Sequence, residues 1–148
     1  MNNKIILASR SGVRKKILEE NGINCEVIPA NIDEDQIKKS LLKEKATPKL
    51  ISKNLAELKA NKISEKKPNY LVLGADSVID LNNELISKPS NRNEALTILR
   101  KLNGQKHQLI SSVCISKNGS MIWNCTDDST LTMKQLNLNE IKTYLAKI

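Results

Sequence analysis

Apolar residues along this chain come in short runs that switch between two periods. Lys4-Ile5-Ile6-Leu7-Ala8 is a nearly continuous run of strand length, and Ser9-Arg10-Ser11-Gly12 breaks it. From Val13 to Asn21 the spacing of Val13, Ile17 and Leu18 is that of a helix, closed by Gly22. Cys25 to Ile28 predicts a short strand stopped by Pro29. Asp33-Glu34-Asp35 opens a second helix through about Lys43, its acids suited to the positive end of the helix dipole. Thr47-Pro48 caps a third helix, for which Leu50, Ile51, Leu55 and Leu58 predict an inward face reaching about Ile63. Next come a Tyr70–Asp76 strand and a partner strand through Leu81, which the polar turn Asn82-Asn83-Glu84 closes. A helix from about Arg92 to Leu102 ends near Gly104. Strands near His107–Ser116 and Met121–Met133 flank the hairpin signal Asn118-Gly119, and a last helix covers about Leu138–Lys147.

Strands and helices alternate early and a hairpin comes late, which predicts an α/β fold. Its expected form is a mixed, twisted sheet flanked by helices in three layers. With no repeat or linker, residues 1–148 make one domain, long enough to bury roughly two-thirds of the surface of the unfolded chain. One Trp, two Tyr and no Phe leave Ile, Leu and Val to build the core. No apolar run approaches a membrane span, and the run after Met1-Asn2-Asn3 is too short for a signal peptide, so the expected location is cytoplasmic. Cys25, Cys114 and Cys125 have no C-x-x-C pairing, and the single His107 has no cysteine nearby, which fits reduced packing thiols rather than zinc ligands. The net charge of +8 comes mainly from lysines spread along the chain, without an aromatic RNA-binding pattern or a zinc finger. It predicts a solvated basic surface that attracts polyanions, not a dedicated nucleic-acid face.

The polar residues at the predicted strand ends carry the candidate chemistry. In open α/β sheets ligands bind where strands lead into helices. Ser9, Ser11 and Arg14 occupy the first such turn, where two hydroxyls, a helix N-terminus and a guanidinium suit a phosphate; helix capping is the competing reading. Asp33-Glu34 comes after the second strand. Asp76 ends the apolar run Tyr70-Leu71-Val72-Leu73-Gly74-Ala75, where a carboxylate is desolvated unless a cation meets it. With Lys59 and Lys88 the set describes a metal–triphosphate site: carboxylates for Mg²⁺ or Mn²⁺, lysines and Arg14 for phosphate oxygens.

Several stretches in order resemble one family. "LASRSGVRKKIL" at 7–18, "VIPANIDE" at 27–34, "LAELKA" at 55–60, "VLGADSVIDLNNELISKP" at 72–89 and "EALTILRKLNGQKHQLISSV" at 94–113 are similar to the Maf-type nucleoside triphosphate pyrophosphatases. The resemblance covers essentially the whole chain and implies the Maf/ITPase-like fold. It implies a divalent-metal-dependent enzyme that converts nucleoside triphosphates, by preference pyrimidine or modified ones, to monophosphate and pyrophosphate. It places the catalytic proton acceptor on Asp76, which accepts the water's proton or holds the activating metal, and a metal ligand on Glu34, which completes the metal site. Phosphate contacts fall on Lys59 and Lys88, and first-loop contacts on Ser9, Ser11 and Arg14. The family's usual Ser-Pro-Arg-Arg is Ser11-Gly12-Val13-Arg14 here, so Lys15 is the expected stand-in for the missing arginine. Ser77 keeps the hydroxyl of a usual threonine, and Ser111-Ser112 stands for Thr-Gly. Family members continue past the position of Ile148 into a glycine-rich segment and closing strands. The resemblance thus implies an open sheet edge covered by a second copy in a homodimer, or a shortened chain that binds nucleotides with weak turnover or none.

Overall fold

A computed structural model describes residues 4–148; Met1, Asn2 and Asn3, where the amino-terminal reading begins, lie outside the described residues. Chain order is β1 (Ile5–Leu7), α1 (Gly12–Glu20), β2 (Cys25–Val27), α2 (Glu34–Lys43), α3 (Pro48–Lys66), β3 (Leu71–Leu81), β4 (Glu84–Ile86), α4 (Arg92–Leu102), β5 (Lys106–Lys117), β6 (Ser120–Thr132) and α5 (Leu138–Ala146). Local chemistry sets many of these boundaries. Ser11, Asp33, Thr47, Asn91 and Asn137 each accept a backbone N–H with the side chain at the start of a helix, and Pro48 occupies the first turn of α3. Asn82-Asn83 and Asn118-Gly119 take positive φ, the left-handed conformation that two-residue hairpins demand.

The six strands of the described residues form one mixed sheet in the order β2-β1-β3-β5-β6, with β4 also on β3. β2, β1 and β3 run parallel; β5 and β6 add antiparallel. The two parallel crossovers, β1 to β2 and β2 to β3, travel in opposite directions across the sheet. Right-handed connection therefore puts α1 and α3 on opposite faces, which makes the expected three layers.

The predicted pair of strands around Asp76 is instead a single strand. β3 runs unbroken through eleven residues, and its hairpin partner is β4, beyond Asn82-Asn83. Asp76 is thus mid-strand rather than at a strand end. It is nonetheless accessible from one side, because β1 pairs only with Leu71–Leu73 and β4 only with Ile79–Leu81. Residues 74–78 lie in the interval between those two partners on that edge, while β5 pairs along the other edge from Val72 to Asp80.

Helix α3 supplies most of the core over β3 and β5. Its inward face is Ile51, Ser52, Leu55, Ala56, Lys59, Ala60, Ile63 and Ser64. The expected face is rotated: Ile51 and Leu55 point in, but Leu50 and Leu58 are exposed. The reason is a close approach of backbones. Ala56 and Ala60 bring α3 so near β3 that a Cβ on Gly74 would lie 2.3 Å from the Ala56 carbonyl oxygen and 2.7 Å from the Ala60 nitrogen. Larger residues on that face would hold the helix off. The apolar residues of α1 are likewise not a buried face: Val13 and Ile17 are exposed, and the helix lies against β2, the edge strand of the sheet. A second apolar cluster joins Leu81 of β3, Ile86 of β4 and Leu102 of α4.

Candidate active site

Three segments meet around the interrupted edge of β3: the loop from β1 into α1, the loop from β2 into α2, and the lysine face of α3. They enclose a cleft of about 890 Å³, within the size range of small-ligand sites. Each wall arises from a local feature. The first loop stays stitched to the sheet because the Ala8 N–H donates to the Leu73 carbonyl at 2.8 Å. Ser9 is buried, and its Oγ accepts from the Ser11 N–H at 3.1 Å and from the Arg14 guanidinium at 3.0 Å. Ser11 caps α1 by accepting the Arg14 N–H at 3.2 Å. The loop thus caps α1, and the Ser11 and Arg14 backbone N–H groups are taken by its own hydroxyls.

At the floor of the cleft two acids share one ammonium. Lys59 Nζ lies 2.6 Å from Glu34 Oε1 and 3.3 Å from Asp76 Oδ1, and donates to the Ala75 carbonyl at 3.3 Å. Its three N–H donors thus meet three acceptors. Asp76 is 6% exposed and Lys59 8%, whereas the Glu34 side chain stays partly open to the cleft. Asp76 Oδ2 is buried and has no hydrogen-bond partner among the described residues. Burial pushes the Asp76 carboxyl above the usual aspartate range. The Lys59 charge and hydrogen bond pull the other way, Lys38 pulls the same way more weakly, and Glu34 adds a small upward push. Desolvation is the largest of these effects and outweighs the ion pair.

Behind Asp76 the sheet is polar. Ser112 stands opposite it on β5, the Ser52 hydroxyl lies 3.1 Å from the Asp76 carbonyl oxygen and 3.0 Å from Ser112 Oγ, and Ser112 Oγ meets Thr126 Oγ1 at 2.9 Å. These buried hydroxyls satisfy one another and hold the strand bearing Asp76 against α3.

Of the residues singled out in the sequence, Ser9, Ser11, Arg14, Glu34, Lys59, Asp76, Ser77 and Lys88 all line this cleft. Ser77 Oγ also meets Ser111 Oγ at 3.0 Å. Lys15 is not brought there. One residue beyond Arg14, the helix turns it away from the cleft, and it lies 3.8 Å from Glu19 on the exposed side of α1. Two cations that the sequence did not single out do line the cleft, Arg10 and Lys38. Arg10 donates to Asn31 Oδ1. Lys38 carried a legible signal: it lies four residues after Glu34 and shares its helix face.

The donor set suits a hard divalent cation. Asp76 and Glu34 offer carboxylate oxygens, the donor type such an ion takes, and the unpartnered Asp76 Oδ2 is a buried acceptor in need of a positive neighbour. Among the described residues no group of three or more His, Cys, Asp or Glu side chains is placed to enclose a metal. The protein thus offers two carboxylates, a number that fits an ion completing its shell with water and phosphate oxygens.

A comparison with protein families matches the Maf-like protein model to residues 4–148. A protein of Pelagibacter ubique named nucleoside triphosphate pyrophosphatase is 66% identical over 148 residues, covering 100% of this chain and 76% of the relative. A Brucella abortus protein named 7-methyl-GTP pyrophosphatase is 34% identical over 148 residues, again 100% of this chain and 74% of the relative. Among solved structures, a HAM1 protein from Coxiella burnetii superposes with a TM-score of 0.56 at 14% identity, over 87% of this chain and 71% of that one. That likeness concerns the fold alone.

Proposed function

The chain belongs to the Maf-like protein family, and from that premise we propose that it hydrolyses nucleoside triphosphates to the monophosphate and pyrophosphate at the Asp76–Lys59–Glu34 cleft, with Mg²⁺ or Mn²⁺. The observation that carries the site assignment is the buried Asp76 Oδ2, a carboxylate oxygen with no partner, made more basic by burial. It is the group in the cleft best suited to accept the proton of a water that attacks the α-phosphorus. Lys59 keeps Asp76 and Glu34 close together despite their like charge and fixes the rotamer of Asp76. Ser9 orients the Arg14 guanidinium, and Arg14 and Lys88 face the phosphates, offsetting charge as the leaving pyrophosphate forms. A divalent cation held by the Glu34 carboxylate would supply further neutralisation of the phosphate oxygens. Ser77 and Ser11 offer hydroxyls to the same substrate.

The substrate is a nucleoside triphosphate, with pyrimidine or modified bases preferred in this reading; the name of the Brucella relative, 7-methyl-GTP pyrophosphatase, supports including a methylated purine in the test. Among the described residues no helix is long and apolar enough to cross a membrane. The proposal places the reaction in the cytoplasm. Incubating the purified chain with UTP, CTP, dTTP, 7-methyl-GTP, GTP and ATP plus Mg²⁺ or Mn²⁺ tests it, with pyrophosphate as readout. Release of orthophosphate alone contradicts attack at the α-phosphorus. A preference for GTP and ATP over every other base contradicts the substrate assignment.

A further inference from the structure

The cations lining the cleft differ in whether their donors are already used. Lys59 is engaged by three acceptors, Arg14 donates to Ser9, and Arg10 donates to Asn31, while Lys88 reaches the cleft from an exposed position. Lys38 is half-buried in the wall formed by α2, and no side-chain hydrogen bond or ion pair to it is found among the described residues. A lysine on the wall of a cleft whose ammonium meets no acceptor there is a cation available to an anion that arrives from outside. It stands one helical turn beyond Glu34, about 6 Å along the axis. Its charge is felt at Asp76.

We propose that Lys38 binds the β- and γ-phosphates of the substrate and holds the pyrophosphate as it leaves. This rests on the pyrophosphatase reading of the cleft. If Asp76 and Glu34 mark the attacked phosphorus, a cation a turn away meets the substrate's next groups. In a nucleoside triphosphate the only anionic neighbours of the α-phosphate are the β- and γ-phosphates. The nucleoside offers a lysine at that place no charge to bind.

The experiment compares Lys38→Gln, Lys38→Arg and, as a control, Lys39→Gln, an exposed lysine of α2 that does not line the cleft. Steady-state kinetics are run on the best triphosphate of the panel, with inorganic pyrophosphate and the matching nucleoside monophosphate as product inhibitors. Lys38→Gln is expected to raise KM and weaken inhibition by pyrophosphate, each by roughly 10-fold or more, the effect of one lost charge-assisted contact. Inhibition by the monophosphate and the melting temperature should stay as in the wild type. Lys38→Arg should recover most of the loss, and Lys39→Gln should match wild type. Unchanged pyrophosphate inhibition in Lys38→Gln overturns the assignment, and so does an equal loss of pyrophosphate and monophosphate inhibition. If the wild-type chain turns over no triphosphate, calorimetry with inorganic tripolyphosphate and Mg²⁺ separates the two readings. Weaker binding by Lys38→Gln then keeps the role of Lys38 while the hydrolase reading fails. Absence of binding by the wild type removes both.

Discussion

Asp76 is the residue on which opposing demands converge. Its carboxyl is buried, shares the single ammonium of Lys59 with Glu34, and has one oxygen without a partner. Such an acid costs stability while serving chemistry. Asp76→Asn is therefore expected to lower turnover by at least about 100-fold, the usual contribution of a positioned proton acceptor, without lowering the melting temperature. The pH dependence has a definite sign. Because its folded-state pKa is raised, Asp76 contributes stability below the ordinary aspartate range and loses it as pH rises through the raised value. In chelator-containing buffer, the melting temperature of Asp76→Asn minus that of the wild type should grow as pH rises above about 4. A constant or shrinking difference in scanning calorimetry speaks against a desolvated Asp76. Lys59→Met removes the shared cation and leaves Asp76 buried without a counter-charge. The expected loss is about 3 kcal/mol, mostly through Asp76, since Glu34 is partly solvated. Urea unfolding at neutral pH measures it.

The elements explain why Asp76 can be both in a strand and in a cleft. β3 exceeds its parallel neighbour β1 in length, and the short β4 returns only beside its last residues. The sequence places Asn82-Asn83 in a polar turn that closes a second strand, whereas in the structure it joins β3 to β4. The positive φ of both residues decides for the hairpin. Gly74 is the other half of the arrangement. Gly74→Ala drives a methyl into the backbone of α3, an overpacking expected to cost about 1–3 kcal/mol and several degrees of melting temperature. Because α3 carries Lys59, kcat should fall with it; full activity and unchanged melting would show that the helix shifts freely. The face of α3 was only partly legible in the sequence. Leu50 and Leu58 look like core residues by hydropathy, but the small Ala56 and Ala60 face the sheet.

At the scale of the whole molecule the relevant quantity is charge. The chain carries a net +8, while the cleft mixes Arg10, Arg14, Lys38 and Lys88 with Asp33, Glu34, Asp35 and the Asp76–Lys59 pair. The field outside is positive and the floor inside is acidic, an order that draws in a polyanion and leaves room for a cation with it. Raising KCl from about 0.05 M to about 0.3 M should therefore increase KM for the triphosphate several-fold and change kcat less, because screening acts on capture before it acts on buried pairs. A KM independent of salt would show that the diffuse lysines have no part in binding.

By itself the sequence determined the order and kind of the elements, apart from the division of β3, and the kinds of side chain available for phosphate chemistry. Apolar period, capping residues and turn residues act between near neighbours, so they are readable in a single chain. Tertiary structure decided which of those side chains meet. Glu34, Lys59 and Asp76 converge only because α3 packs closely over Gly74 and β1 stops short of Asp76. It also decided that Lys38, not Lys15, faces the cleft. Both are lysines near a helix start. Their difference lies in the direction each helix turns them, and that is set by packing against distant parts of the chain, which local pattern does not carry.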